Sequence, residues 1–200
     1  LSSSSAASDV YKRQAYDISN ATYIQNFSVN TQDNNPSGIS FNNDGTKMYI
    51  LGDVDNDVNE YILSTAFDVS TASYVQNFSV SAEETSPYGI SFNNDGTKMY
   101  VIGHAGKDVN EYILSTAFDV STASYLQNFS VASQDQIPYD ITFNNSGTKM
   151  YILGDEGDDV NEYILFTAFD VSTASFVQNF SVSAQETSPS GLSFNNNGTK

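Results

Sequence analysis

The chain has 200 residues, no cysteine, and 24 acidic residues against 7 lysines and arginines, which gives a net charge of −17. This charge argues against nucleic acids and anionic membranes as partners, because both attract basic surfaces. The lack of cysteine excludes disulfides and thiolate chemistry. No apolar run reaches the ~20 residues that a membrane-spanning helix needs, so no membrane insertion is expected.

A repeat of 51 residues organises the chain. Its most regular part reads Pro-(Ser/Tyr)-(Gly/Asp)-(Ile/Leu)-(Ser/Thr)-Phe-Asn-Asn-x-Gly-Thr-Lys. The copies begin at the four prolines of the chain, Pro36, Pro87, Pro138 and Pro189. Self-similarity at a fixed period of this length indicates a repeat architecture. The whole units are 36–86, 87–137 and 138–188.

The two ends of the chain differ from the whole units. Residues 1–14, LSSSSAASDVYKRQ, do not fit the repeat and resemble a translated sequencing adapter of the kind met in environmental gene assemblies. A disordered Ser/Ala-rich linker is the alternative. Residues 15–35 match the end of a unit, and residues 189–200 match the beginning of one. We therefore expect a fragment of a longer array with a truncated unit at each end.

Each unit predicts four short β-strands. In the unit 36–86, Gly38–Phe41 is β-prone and ends at an Asn-Asn-Asp-Gly turn, which is typical of a hairpin. The apolar run Lys47–Leu51 predicts a second strand that is buried on both faces. Val58–Leu63 predicts a third strand after an acidic loop. Tyr74–Val80 mixes apolar residues with Gln, Asn and Ser, which predicts a half-exposed outer strand.

Four antiparallel strands in about 50 residues, repeated along the chain, are typical of β-propeller blades. A β-helix would use shorter coils, and a β-sandwich would not repeat its own sequence. We predict an all-β fold of four-stranded antiparallel propeller blades that form an open fragment of a larger ring. The truncated ends supply a fourth strand and a first strand, which cannot pair to close the ring. Stacked β-units that never close are the alternative.

The motif GISFNNDGTKMYILG, followed by VNEYILSTAFDVSTA, resembles the blades of lactonase-like and YVTN-type β-propellers. It resembles still more closely the near-identical arrays in proteins of marine bacteria and their phages. The resemblance covers residues 15–200. It implies an extracellular, cell-surface or virion protein, but it implies no single activity, because related blades serve enzymes and non-enzymes alike.

Comparison of the units separates a constant end of each blade from a variable end. At the constant end, the loop between strands one and two and the connection between strands three and four are almost identical in every unit. At the variable end, the loops between strands two and three read GDVDND, GHAGKD and GDEGDD, at 52–57, 103–108 and 154–159. The connections between units lie at the same end and also vary. Because loops often carry binding residues, we predict a binding face there; the alternative is that these loops tolerate substitution.

The candidate binding residues belong to this variable face. Tyr88 and Tyr139 replace serines of the other units and are candidate aromatic contacts. Asp140 replaces a glycine in a predicted inner strand. His104 is the only histidine, and the sequence offers it no catalytic or metal-binding companion. The full set is Asp53, Asp55, Tyr88, His104, Lys107, Tyr139, Asp140, Asp155 and Glu156.

Structural calcium is a further hypothesis for the first variable loop. Asp53, Asp55 and Asp57 have the alternate spacing of calcium-binding loops, and Ca²⁺ takes several oxygen ligands. The loop lacks the glycine that follows the third acid in such loops. The favoured alternative is that recurrent acids such as Asp57 hydrogen-bond locally. The recurrent lysines, among them Lys47, are expected to pair with acids in the turns. No other cofactor is expected.

The leading functional prediction is a non-enzymatic β-propeller scaffold that presents its variable acidic face to a protein or a glycan. The inner strands repeat Gly-Ile-Ser-Phe with little change, whereas a catalytic centre needs differentiated residues in a fixed geometry. No catalytic residue is therefore predicted. The alternative is a fragment of a lactonase-like or SMP-30-like propeller hydrolase. Remaining blades of the same chain are the other expected partner.

Overall fold

The computed structural model describes residue 19, residues 21–195 and residues 198–199, so the predicted leader at 1–14 lies outside the described residues. Within them, β-strands form three four-stranded antiparallel sheets, which we call blades 1, 2 and 3. Blade 1 contains β1 (Pro36–Phe41), β2 (Lys47–Gly52), β3 (Asp57–Leu63) and β4 (Ala72–Ser79). Blade 2 contains β5 (Pro87–Phe92), β6 (Lys98–Gly103), β7 (Asp108–Leu114) and β8 (Ala123–Ser130). Blade 3 contains β9 (Pro138–Phe143), β10 (Lys149–Gly154), β11 (Asp159–Leu165) and β12 (Ala174–Ser181).

Each sheet is a simple meander in which strands adjacent in sequence are hydrogen-bonded neighbours. This confirms the prediction of all-β, four-stranded propeller blades. The fourth strand begins two residues earlier than predicted, at Ala72. A single turn of 3-10 helix precedes each fourth strand and was not predicted; the turns are Val69–Thr71, Val120–Thr122 and Val171–Thr173. In the described part of the chain, no helix is long and apolar enough to cross a membrane.

The hydrophobic core lies between the blades. The strand β5 packs against both β1 and β9, so the first strands of the three blades are neighbours. Tyr49 and Leu51 of blade 1 are fully buried in one cluster with Met99 and Val101 of blade 2. A second cluster repeats this packing between blades 2 and 3. Second strands are therefore buried on both faces, as the apolar run in the sequence predicts.

The two loops of the constant end fold together in each blade. In blade 1, Gly45 has a φ of +71°, which glycine adopts without strain. Phe67 has a φ of +59°, which is uncommon for an aromatic residue. Its backbone N–H donates to the Gly45 carbonyl at 2.9 Å, and its ring lies where a Cβ on Gly45 would be. The glycine thus makes room for the ring. The same arrangement recurs in blades 2 and 3.

The prediction that the recurrent lysines pair with acids in the turns is wrong. Lys47 Nζ lies 2.6 Å from Glu60 Oε1 on β3, and the corresponding pairs in the other blades are equally short. The turn acid Asp44 accepts hydrogen bonds from the hydroxyl and the backbone N–H of Thr46 instead, at 2.6 and 3.0 Å. Those two bonds lower the pKa of Asp44. Antiparallel pairing of β2 with β3 brings Lys47 and Glu60 together.

A recurrent latch joins each blade to the next. Lys47 Nζ and Tyr49 Oη both donate to the carbonyl of Phe118 in blade 2, each at 2.7 Å. Glu60 Oε2 accepts the backbone N–H of Val120 at 3.1 Å. Blade 2 makes the same contacts with blade 3, through Lys98, Tyr100, Glu111, Phe169 and Val171. The lysine and glutamate pair of one blade therefore hydrogen-bonds to the backbone at the 3-10 turn of the next blade.

Candidate binding face at the variable end

A buried carboxylate from each connection between units shapes the variable loop of the blade that follows. Asp33 is 2 % exposed, and its Oδ1 accepts the backbone N–H of Asn35 at 2.6 Å. Its Oδ2 accepts the N–H groups of Val54 and Asp55, both at 3.3 Å. The aspartate thus provides acceptors for backbone N–H groups that find no partner within the tight loop.

Glu84 and Asp135 hold the loops of blades 2 and 3 in the same way. Both are almost fully buried. Glu84 accepts the backbone N–H groups of residues 86, 105 and 106. Asp135 accepts those of residues 137 and 157. The distances are 2.6–3.2 Å. The glycine that opens each loop, Gly52 in blade 1, has no room for a Cβ, which would lie 2.1 Å from Asp33 Oδ2. The carboxylates of the connections therefore hold the loops through backbone N–H groups.

The third residue of the calcium hypothesis, Asp57, is occupied by amides. It is 3 % exposed, its Oδ1 accepts Asn59 Nδ2 at 2.6 Å, and its Oδ2 accepts Asn77 Nδ2 at 2.5 Å. Burial raises the pKa of Asp57 in spite of these two hydrogen bonds. Asp108 and Asp159 accept the same pairs of amides in the other blades. Local hydrogen bonding, the favoured reading of this position, agrees with this geometry.

The other two acids of that hypothesis make separate contacts. Asp53 is half-buried and accepts Asn35 Nδ2 at 3.0 Å and Ser86 Oγ at 3.4 Å, whereas Asp55 is exposed. Among the described residues, no group of three or more acidic, histidine or cysteine side chains is placed to hold a metal. Calcium binding stays a prediction, which thermal melting with and without EDTA tests. An unchanged midpoint would exclude it.

The structure brings the two candidate tyrosines together. The rings of Tyr88 and Tyr139 lie 4.7 Å apart at an angle of 55°, and both residues are half-buried. Burial raises the pKa of Tyr139, with a smaller contribution from the negative charge of Asp155 nearby. In blade 1 the counterpart Ser37 instead donates to the Pro87 carbonyl at 2.8 Å. Adjacent blades thus present a continuous aromatic surface at this position.

Two further candidates meet through a residue that sequence reasoning missed. Lys107 Nζ donates to Gln136 Oε1 at 2.8 Å, and the Gln136 backbone N–H donates to Glu156 Oε2 at 3.0 Å. Gln136 belongs to the variable connection between units, which is the one signal that could have suggested it. By contrast, the side chain of His104 is exposed, and its backbone N–H donates to Ser86.

Asp140 lies on the inner strand β9. It accepts the backbone N–H groups of Ile141 and Leu192, at 2.8 and 2.7 Å. Burial raises the pKa of Asp140 in spite of these bonds. It lines a depression of about 510 Å³ that also includes Ser40 and Ser91, from the first strands of the other blades. Asp140 is therefore a differentiated carboxyl among otherwise repeated inner strands.

The variable loop of blade 3 contains two carboxylate oxygens without a hydrogen-bond partner. They are Asp155 Oδ1 and Asp158 Oδ1, both buried, and no described residue donates to them. In blade 1, Asn56 occupies the position of Asp158, and the amide orientation that satisfies its surroundings donates to the carbonyls of Thr85 and Asp53, at 3.0 and 3.2 Å. A carboxylate at this position has no N–H group to donate, whereas the equivalent amide has two.

No protein-family model matches the sequence, and no curated protein does either. Solved structures match over most of the described chain. A putative 6-phosphogluconolactonase from Bacteroides uniformis is 13% identical with a TM-score of 0.56, covering 82% of this chain and 45% of that one. The periplasmic gluconolactonase PpgL of Pseudomonas aeruginosa is 15% identical with a TM-score of 0.56, covering 79% and 42%. The chain therefore shares the β-propeller fold of these structures.

These likenesses show the fold alone. Hydrazine synthase from Kuenenia stuttgartiensis also matches, at 17% identity and a TM-score of 0.52, covering 79% of this chain and 39% of that one. The same blades therefore occur in proteins of different activity. The chain spans less than half the length of each of these structures.

Proposed function

We propose that this chain is a non-enzymatic β-propeller scaffold that binds a protein or glycan through its variable acidic face. The observation that supports this is the way the loops are held: Asp33, Glu84 and Asp135 bind backbone N–H groups, so the side chains of the loops can differ without a change of backbone. The resemblance to arrays of marine bacteria and phages implies that the scaffold belongs to a surface, secreted or virion protein.

The chemistry of the face favours sugars or positively charged groups. The half-exposed rings of Tyr88 and Tyr139 can stack on a sugar ring or on a guanidinium group. Carboxylates of Asp155 and Glu156 belong to the adjacent loop, and the whole chain carries a net charge of −17. Such a field attracts basic partners and repels acidic ones.

Serine substitutions at the aromatic pair test this proposal. Tyr88→Ser and Tyr139→Ser introduce the residue that other units carry at Ser37 and Ser190. We expect the unaltered chain to bind members of a glycan array or of a panel of arginine- and lysine-containing peptides. The double variant should bind them at least about tenfold more weakly. Phe166→Ser is the matched control, since Phe166 is 79% exposed at the constant end. Binding that the double variant retains in full would contradict the proposal.

Lactone hydrolysis is the second candidate, because several matched structures are named as lactonases and Asp140 is a differentiated inner carboxyl. The assay is the release of acid from gluconolactone and 6-phosphogluconolactone. Asp140→Gly introduces the residue found at Gly38 and Gly89. Turnover that disappears in this variant would establish the hydrolase and replace the scaffold proposal. Turnover that the variant retains would exclude Asp140 as the source.

A further inference from the structure

The aromatic pair of the variable face, Tyr88 and Tyr139, lies on two β-bulges. The pairing of β5 with β6 skips Tyr88, and the pairing of β9 with β10 skips Tyr139. A bulge redirects a side chain away from the regular alternation of its strand. A Cβ on Gly89 would lie only 2.8 Å from the Tyr139 carbonyl, so the two first strands approach closely at this point. The bulges and this approach bring the two rings together.

Asp155 of the variable loop of blade 3 lies beside this pair. Its backbone N–H donates at 3.1 Å to the carbonyl of Ile137, which is two residues before Tyr139. The pKa of Tyr139 is raised by burial and, to a smaller extent, by the negative charge of Asp155. Asp155 is half-buried, so part of it reaches solvent. A ligand on the ring of Tyr139 can therefore meet this carboxylate.

Asp155 lacks the internal donor that its counterpart in blade 1 has. The counterpart, Asp53, accepts Asn35 Nδ2 at 3.0 Å and Ser86 Oγ at 3.4 Å. The residue of blade 3 that corresponds to Asn35 is Ile137, whose side chain has no donor. Asp155 Oδ1 is buried and accepts no hydrogen bond from a described residue. Because such an oxygen is unfavourable without a donor, a donor from outside the chain would stabilise it.

The neighbouring basic side chain does not neutralise Asp155. Lys107 of blade 2 donates to Gln136 Oε1 at 2.8 Å and forms no ion pair with a described acid. The next acid of the loop, Glu156, accepts the backbone N–H of Gln136 at 3.0 Å. The loop itself, GDEGDD, contains no basic residue. Among the described residues, Asp155 therefore has no counter-ion, although it lies beside an aromatic surface.

A guanidinium group fits this combination better than other ligands do. It is planar and always charged, it stacks on aromatic rings, and its edge presents several N–H donors. An ammonium group supplies the charge without the flat surface. A sugar can stack on tyrosine and donate hydroxyl hydrogen bonds, but it leaves the carboxylate without a counter-ion. The net charge of −17 also favours a cationic ligand.

We propose that Tyr139 and Asp155 bind the guanidinium group of an arginine on a protein partner. The group stacks on the ring of Tyr139, against which Tyr88 packs, and donates N–H hydrogen bonds to the carboxylate of Asp155. This proposal rests on the proposed function. It narrows the partner of the variable face from a protein or a glycan to a protein that presents an arginine.

Capped amino acids test the site without knowledge of the partner. N-acetylarginine amide and its lysine and citrulline analogues are titrated into the chain and followed by nuclear magnetic resonance, which detects weak binding. The arginine compound should shift the signals of Tyr139 and Asp155 in a saturable way. Citrulline keeps the planar shape and loses the charge, so its compound should bind at least about tenfold more weakly. The lysine compound should lie between the two.

Two variants that remove the same charge from the same loop make the assignment specific. Asp155→Asn should weaken binding of the arginine compound at least about tenfold and should remove the preference for arginine over citrulline. Asp158→Asn is the matched control, and its affinity should stay within about twofold of that of the unaltered chain, because salt screens a charge that makes no direct contact. Thermal melting verifies that both variants are folded.

The possible failures separate this proposal from the proposed function. Equal binding of the arginine and citrulline compounds, or equal losses in the two variants, would overturn arginine recognition. Signals that no capped amino acid shifts would overturn it as well. If a glycan or another peptide still binds and requires the aromatic pair, the binding face stands without arginine recognition. If the serine double variant retains all the binding that the array and the peptide panel detect, the proposed function fails too.

Discussion

Substitution of Glu111 tests how much the latch between blades 2 and 3 contributes to the free energy of unfolding. Its Oε1 accepts Lys98 Nζ at 2.5 Å, and its Oε2 accepts Gln127 Nε2 at 2.9 Å and the Val171 N–H at 3.1 Å. The side chain is fully buried. Glu111→Gln keeps the shape of this group, removes its charge and places an NH₂ group against one of the donors. The matched variant Glu162→Gln makes the same change where no further blade contributes an N–H group among the described residues.

The expected loss in the free energy of unfolding differs between the two variants. Removal of one member of a buried ion pair costs about 3–5 kcal/mol. Lys98 is 24% exposed and keeps the Phe169 carbonyl at 2.8 Å, so we reduce the expected loss for Glu111→Gln to about 2–3 kcal/mol. The pair of Glu162 is considerably more exposed. Its neutralisation should cost about 1 kcal/mol or less.

Urea unfolding at neutral pH, followed by circular dichroism, measures both losses. Stability in a repeat array is approximately a sum of unit terms and junction terms, so a weakened junction should lower the midpoint and broaden the transition. The control variant should lower the midpoint slightly and leave the width unchanged. Equal losses for Glu111→Gln and Glu162→Gln would refute the reasoning, because the carboxylate would then contribute nothing through the junction itself.

Three further predictions concern turns and buried groups. Gly96→Ala should lower the free energy of unfolding by about 2–3 kcal/mol. A positive φ costs an alanine about 1–2 kcal/mol, and its Cβ would lie 2.2 Å from the Phe118 ring. An unchanged melting midpoint would contradict this. Asp158→Asn should raise that free energy by about 1 kcal/mol in the same assay, because Asn56 in this position donates two hydrogen bonds and Asp158 leaves a buried oxygen without one. Burial raises the pKa of Tyr61 to about 12, and that of other core tyrosines is also raised. Their contribution to stability is complete below the unfolded pKa of about 10 and is lost as the pH rises towards the folded values, by up to about 1.4 kcal/mol per pH unit for each tyrosine. Ultraviolet titration should show these phenols ionising together with unfolding, and ionisation before unfolding would contradict it.

The strands could be predicted from sequence because each is determined locally and repeated. The Asn-Asn-Asp-Gly turn defines the hairpin of Gly38–Phe41 with Lys47–Leu51, and the units supply the same signal again. The conformation of Phe118 could not be predicted in this way. A positive φ at phenylalanine is unfavourable in isolation, and it is stabilised here by the ring over Gly96 and by two donors from the preceding blade.

Sequence placed the candidate residues at one end of the blades, but it did not predict the contacts between them. The assignment of loops to two ends follows from the order of strands in a meander, so Tyr88 and Tyr139 could be chosen together. The link from Lys107 through Gln136 to Glu156 depends on the packing of two blades, which sequence spacing does not encode. The error in pairing the lysines has the same origin, because acids in a turn are near in sequence while the glutamates on β3 are near only after the strands pair.

The two ends of the blades differ in how freely they can change, and the contacts explain why. At the constant end, Lys47 and Tyr49 meet Phe118 across a junction, so a substitution at one position disturbs residues of another blade. At the variable end, Asp33 binds backbone N–H groups, which every non-proline residue offers. The loops of the variable end can therefore change their side chains without a change of backbone, which is what the proposed binding face requires.

The aromatic pair of the variable face is the exception to this tolerance. Tyr88 and Tyr139 lie on first strands and not in the loops that the carboxylates hold. Their rings pack against each other at an angle of 55°, at the position where Ser37 donates to the Pro87 carbonyl. Such an aromatic pair contributes about 0.5–1.5 kcal/mol to stability. A role limited to the junction predicts that serine at both positions lowers the melting midpoint by that amount and leaves ligand binding intact. A role in recognition predicts lost binding as well, so the two measurements on one variant separate structure from function at this position.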